Sequence, residues 1–128
     1  MRLLIDTHTF LWFVEGDLQL SQEAKRLLED ENNERWLSLA SVWEMAIKIS
    51  IGKLRLGQPL AEYVREQTER NTISLLPITL PHVLPLTNLP LHHRDPFDRL
   101  LVMQSVVEGM PIVSADAVLD AYNLHRLW

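Results

Sequence analysis

Five acidic side chains of this sequence stand where a charge needs a reason. Asp6 follows the apolar run Leu3-Leu4-Ile5, Glu44 sits among Val42, Trp43, Met45 and Ala46, and Asp116 follows "IVSA". Asp95 and Asp98 share the stretch "HRDPFDRLL". Each has an ordinary structural use. Asp6, Asp95 and Asp116 suit helix N-caps, and Asp98 on a first helical turn gains from the helix dipole. Glu44 suits the acid of a capping box in "SVWE" and an i,i+4 partner for Lys48. These uses do not explain why four of the acids, each at a strand end or helix start, should gather around what reads as one edge of one sheet.

Carboxylates brought together raise one another's pKa and repel, and a divalent cation removes that penalty. Oxygen donors favour Mg²⁺ or Mn²⁺ over zinc. Three or four acids suit two such ions about 4 Å apart, clamping the attacking and leaving oxygens of a phosphodiester. Nothing else in the chain competes for chemistry. There is no cysteine, the four glycines are scattered, and no Ser/His/Asp triad or phosphate-binding glycine loop is present.

The elements that must position these acids are legible as an alternation. Residues 2–5 read as a short buried strand, and "THTFLWFVEG" as a helix ending near Gly16. "SQEAKRLLEDEN" has Ser21 as N-cap and an apolar stripe at Ala24, Leu27 and Leu28. "RWLSL" reads as a second strand. In "SVWEMAIKISIG", Val42, Met45, Ala46 and Ile49 repeat at helical spacing and Gly52 sits at C′.

"PLAEYVREQTERN" is a further helix and "TISLLPI" a strand. "LPHVLPLTNLPLHHRD" reads as a short helix and irregular loop. "DPFDRLLVMQSVVEG" carries Asp95 as N-cap, Pro96 at N1, Asp98 at N3 and Gly109 at C′. "MPIVSA" is a buried strand, "DAVLDAYN" a short helix and "LHRLW" a last strand.

Strands alternating with helices predict an α/β fold with a mostly parallel sheet and helices on both faces. Ligands of such sheets sit beyond the carboxyl ends of the strands. Asp6 and Asp116 then fall on the same sheet edge.

Composition sets outer bounds. The chain has 128 residues, 47% hydrophobic and 23% charged, and a net charge of −5. That fits one globular domain. A net negative charge excludes a simple basic nucleic-acid coat. No apolar run approaches the roughly 20 residues of a membrane span, and Arg2 is followed by too few apolar residues for a signal peptide. The lack of cysteine permits a cytoplasmic protein.

"LLIDTHTFLW", "SVWEMAIKISIGKL", "HRDPFDRLLVMQ" and "IVSAD", in this order, resemble a PIN-domain nuclease, most nearly the toxin of a VapBC-type toxin–antitoxin pair. The resemblance runs along essentially the whole chain. It implies a single PIN domain over residues 1–128, with a three-layer α/β fold. It implies an endoribonuclease dependent on Mg²⁺ or Mn²⁺, with Asp6, Glu44, Asp98 and Asp116 as catalytic metal ligands. Asp98 is taken rather than Asp95 because it opens "DRLLVMQ", where the family's third acid is expected. Asp95 is then a supporting acid or a helix cap.

Ser114 matches the small hydroxyl residue often found two positions before the fourth acid, and would orient Asp116 or a water. The resemblance also implies a homodimer and a small cognate antitoxin that blocks the cleft. Operator DNA would be bound only through the antitoxin. tRNA or single-stranded and loop RNA is the substrate class, because unstacked bases are open to recognition. The "HHRDP" lead-in marks one branch of such toxins and leaves the antitoxin class and RNA target open.

The basic and aromatic residues carry less. His92, His93 and Arg94 touch phosphates or belong to a solvated loop. Lys48 faces the cleft or pairs with Glu44. His8 is a ligand or only a first-turn residue. Trp12, Trp36, Trp43 and Trp128 read as core or dimer contacts before base-stacking platforms, and His82 and His125 carry no functional argument.

The same acids would also serve a nuclease of RNA processing or DNA cleavage with no antitoxin, or a PIN-like module without catalysis. A receiver-like phospho-acceptor fares worse. It needs an acceptor Asp after a central strand and a Lys after a later one, and "TISLLPITLPHVL" and "LHRLW" supply neither.

Overall fold

Two cores, one on each face of a sheet, follow from the first strand alone. The computed structural model describes residues 1–128. In β1 (Arg2–Ile5) the side chains of Leu3, Leu4 and Ile5 are all fully buried. Alternate strand residues point to opposite faces. Leu3 and Ile5 accordingly join Phe10, Leu28, Met45 and Tyr63, while Leu4 joins Leu101, Met110, Ile112 and Leu119. A strand apolar at every position belongs in a sheet covered on both sides.

The other strands are β2 (Glu34–Ser38), β3 (Ile73–Leu76), β4 (Ile112–Val113) and β5 (Arg126–Leu127). Every pairing is parallel, in the order β3-β2-β1-β4-β5, with Ile5 opposite Leu37 on one side and Val113 on the other. The helices are α1 (Thr7–Glu15), α2 (Gln22–Glu29), α3 (Leu39–Ser50), α4 (Leu60–Arg70), α5 (Leu80–Val83) and α6 (Pro96–Glu108). Residues of α1, α2 and α4 fill the first core and those of α6 the second. No helix is long and apolar enough to cross a membrane.

Local signals set most boundaries. Ser21 caps α2 through a 3.0 Å bond from Ala24 N–H. Asp95 caps α6 with Pro96 in its first turn, and α6 stops at Gly109, whose φ of 64° is costly for residues with a Cβ. Two readings need correction. The third helix starts at Leu39, with Ser38 as its cap, so "SVWE" is not a capping box. Ser38 ends β2 and starts α3 without a loop, which leaves Ser41 inside the helix. The element after Asp116 is a 3₁₀ turn, Ala117–Ala121, and a second 3₁₀ turn, Leu84–Asn88, lies in the proline-rich connection.

Candidate active site

The sheet order reverses at β1, whose neighbours are β2 and β4. Successive connections run away from that point in opposite directions and leave a crevice above the carboxyl ends of β1 and β4. Asp6 is the residue after β1, and its N–H donates to Val113 O at 3.1 Å. Ser114 follows β4 directly. The parallel register therefore sets Asp6 beside Ser114, and Ser114 Oγ donates to Asp6 Oδ2 at 2.8 Å. The same hydroxyl oxygen accepts from Asp116 N–H at 3.1 Å.

Ser114 thus holds Asp116, as expected, through the Asp116 backbone N–H, and it also orients the Asp6 carboxylate, which the sequence did not indicate. Asp6 also caps α1, accepting from Thr7 N–H at 2.7 Å through Oδ1. With each Asp6 oxygen engaged, neither is left without a protein partner.

The other acids arrive on helices. Glu44, 5% exposed, projects from α3 toward α1, where Thr7 Oγ1 lies 2.8 Å from both Glu44 Oε1 and Ser41 Oγ. Its second oxygen pairs with Lys48 Nζ at 2.8 Å, the expected i,i+4 contact. Asp98 occupies the first turn of α6. Asp95 Oδ1 is spent on that helix, accepting from Phe97 N–H at 2.8 Å and Asp98 N–H at 3.3 Å. Asp116 Oδ1 caps the following 3₁₀ turn through Val118 N–H at 3.0 Å. Asp6, Glu44, Asp95, Asp98 and Asp116 line one cavity of about 350 Å³, with Lys48 as its only lysine and His8 and Trp12 on its wall.

His93 stands inside this cluster. Its Nε2 lies 2.7 Å from Asp116 Oδ2 and 3.2 Å from Asp98 Oδ2. Asp95 N–H donates to its Nδ1 at 3.1 Å, so in the neutral ring the proton is on Nε2, aimed at the two carboxylates. The His93 backbone N–H donates to the Tyr122 hydroxyl at 2.8 Å, which in turn donates to Pro90 O at 2.9 Å.

His93 lies in the loop before α6, half-buried rather than solvated, with its ring placed between the acids. Arg94 is exposed and outside the cavity lining. Trp12 and Thr7 belong to the site although the sequence did not single them out for it. Their signal was their nearness to Asp6, on the first two turns of α1.

Crowding and burial set the electrostatics of this acidic cluster. Burial, and next the charges on Asp6 and Asp95, push the Asp98 carboxyl up to about 7, with His93 opposing and Glu44 adding to the rise. Burial also raises Asp6, against the hydrogen bonds from Ser114 and Thr7. Carboxyl oxygens of Asp98 and Asp116 and the Nε2 of His93 all lie within 4.8 Å of one another. His93 bears its proton on that nitrogen, so the donors left are carboxylate oxygens. That set fits a hard divalent cation such as Mg²⁺ or Mn²⁺.

Comparison with known proteins places the fold. A family model described as "PIN domain" matches residues 3–123. Ribonuclease VapC16 of Mycobacterium tuberculosis (strain ATCC 25618 / H37Rv) is 37% identical over 60 residues, 47% of this chain and 43% of that protein's length. The match thus spans less than half of that relative.

Among solved structures, VapBC2 from Rickettsia felis bound to a DNA fragment from its promoter aligns with a TM-score of 0.74 at 12% identity. It covers 99% of this chain and 98% of the other. VapBC-1 from nontypeable Haemophilus influenzae aligns with a TM-score of 0.66 at 15% identity, covering 99% and 97%. At these identities the likeness is one of fold. With the family match running over almost its whole length, the chain belongs to the PIN domain family.

Proposed function

We propose that residues 1–128 act as one domain, a divalent-metal-dependent endoribonuclease that is the toxin of a VapBC-type toxin–antitoxin pair. The observation that carries this reading is the gathering of Asp6, Glu44, Asp98 and Asp116 in one cavity at the sheet's switch point. These four would hold Mg²⁺ or Mn²⁺, and the bound cations would supply Lewis-acid stabilisation of the charge that develops in phosphodiester hydrolysis. Ser114 and Thr7 hold Asp6 and Glu44 in place for that task. His93 spaces Asp98 and Asp116 by donating between them. Asp95 serves as the cap of α6, and Lys48 tethers Glu44.

The substrate is RNA in single-stranded or loop form, tRNA included, since unstacked bases are open to recognition. A ribonuclease name on the Mycobacterium relative, and toxin–antitoxin complexes among the similar folds, support both the activity and a small antitoxin as partner. Operator DNA is then reached through that antitoxin, in the cytoplasm. A homodimer is favoured by a stripe on α3. Leu39, Trp43, Ile47 and Ile51 recur at a spacing of four and are 37–58% exposed. A contiguous apolar face of this kind marks a protein interface.

The test is cleavage of a mixed tRNA and single-stranded RNA pool in Mg²⁺ or Mn²⁺ by wild type, Asp6→Asn and Asp116→Asn, with folding followed by circular dichroism. Cleavage by wild type alone is expected. Full metal-dependent cleavage by both folded variants would overturn the assignment.

A further inference from the structure

A second cavity, of about 280 Å³, opens beside the acids and shares His8 and Lys48 with theirs. It is lined by Leu11 and Leu54, over the buried Met45, and by His8, Lys48 and Lys53. Lys48 is committed to Glu44 at 2.8 Å, whereas Lys53 is exposed and forms no ion pair, which leaves its charge available. The end of α3 sets Lys53 there. Gly52 turns the chain with φ of 75°, and the N–H groups of Lys53 and Leu54 both donate back to Lys48 O, at 2.8 and 3.2 Å. Leu54 packs on the first core, so the turn is anchored.

The chain carries a net charge of −5, and its acid cluster repels a polyanion wherever cations do not screen it. An adjoining lysine free of any ion pair, over an apolar floor, is where the next piece of that polyanion finds both charge and a surface for its base. The volume is on the scale of one unpaired base with its phosphate, and a base stacked within a duplex is not free to enter it.

We propose that this cavity is a nucleotide subsite. Lys53 and His8 take the phosphate next to the scissile one in a single-stranded RNA, and its base rests on Leu11 and Leu54. The assignment rests on the ribonuclease reading above, so its test measures binding and cleavage separately.

Fluorescein-labelled single-stranded RNA is titrated by anisotropy into Asp116→Asn protein, alone and with Lys53→Ala, Lys53→Arg or Lys25→Ala added. Lys25 lies on α2 and lines a different cavity. The expected result is about fivefold weaker binding for Lys53→Ala, with the log-salt slope reduced by about 0.7. Lys53→Arg should restore affinity, Lys25→Ala should change it less than about twofold, and duplex RNA should show no dependence on Lys53.

Wild-type cleavage together with Lys53-independent binding overturns the subsite and leaves the ribonuclease. Lys53-dependent strand binding without any cleavage by wild type overturns the ribonuclease and keeps the strand site. No RNA binding at all overturns both.

Discussion

Asp98→Asn should make the protein more stable in chelator at neutral pH, while ending its response to divalent cations. Burial and the neighbouring acids raise this carboxyl from 3.8 to about 7. The folded chain therefore holds the proton more tightly than the unfolded chain does. The stability this contributes is complete below about pH 4 and is lost as pH rises through about 7. Roughly three pKa units set an upper bound near 4 kcal/mol on the penalty borne by the ionised group.

Asparagine bears no such penalty and still accepts from His93. It gives up an acid on the first turn of α6, a loss of up to about 1 kcal/mol. A net gain of about 1–3 kcal/mol at pH 7.5 is expected, shrinking toward zero as pH falls to about 4.5. The assay is urea unfolding, read by circular dichroism, in EDTA and in Mg²⁺ or Mn²⁺ at several pH values. Wild type should gain stability from the metal and the variant should not. An Asn variant less stable than wild type in EDTA at pH 7.5, or a gain that does not change with pH, would refute the reasoning.

Ser114→Ala removes the 2.8 Å donor to Asp6 and the acceptor for Asp116 N–H. Cleavage should fall about 10–100-fold, and wild-type turnover by a folded variant would show that Asp6 needs no such support. Asp95→Asn keeps the α6 cap, since asparagine caps as well as aspartate, and should retain cleavage. Its loss would make Asp95 a metal ligand. Trp43→Glu places a charge in the exposed stripe of α3 and should convert a dimer to a monomer in light scattering, with a loss of about 0.5–1.5 kcal/mol in stability from its edge contact with Phe97. A persistent dimer would move the interface elsewhere.

The legible parts of the fold were those decided within a few residues. Leu3-Leu4-Ile5 and "PIVS" announced buried parallel strands because every position is small or apolar. Asp95, Pro96 and Gly109 bracketed α6 because capping depends on the residue at the cap itself. The start of α3 was misread because Ser38 and Ser41 are both serines ahead of an apolar periodic run. Only the strand pairing of Ser38 with Leu76 shows which one ends β2 and caps the helix.

The site divides the same way. Residue types alone singled out the five acids and suggested a hard-cation chemistry for them. The placing of Asp6 and Asp116 on one sheet edge followed from strand ends. Which hydroxyl holds which carboxylate did not, since Ser114 meets Asp6 across 108 positions of chain. The place of His93 depends on a backbone N–H two residues on and carboxylates from two other points of the chain.

Apolar pattern and caps are local free energies, readable wherever the residues stand. Hydrogen-bond partners and raised pKa values depend on distances of a few ångströms between remote segments. Those distances exist only once β1 and β4 are paired and the helices have closed over them.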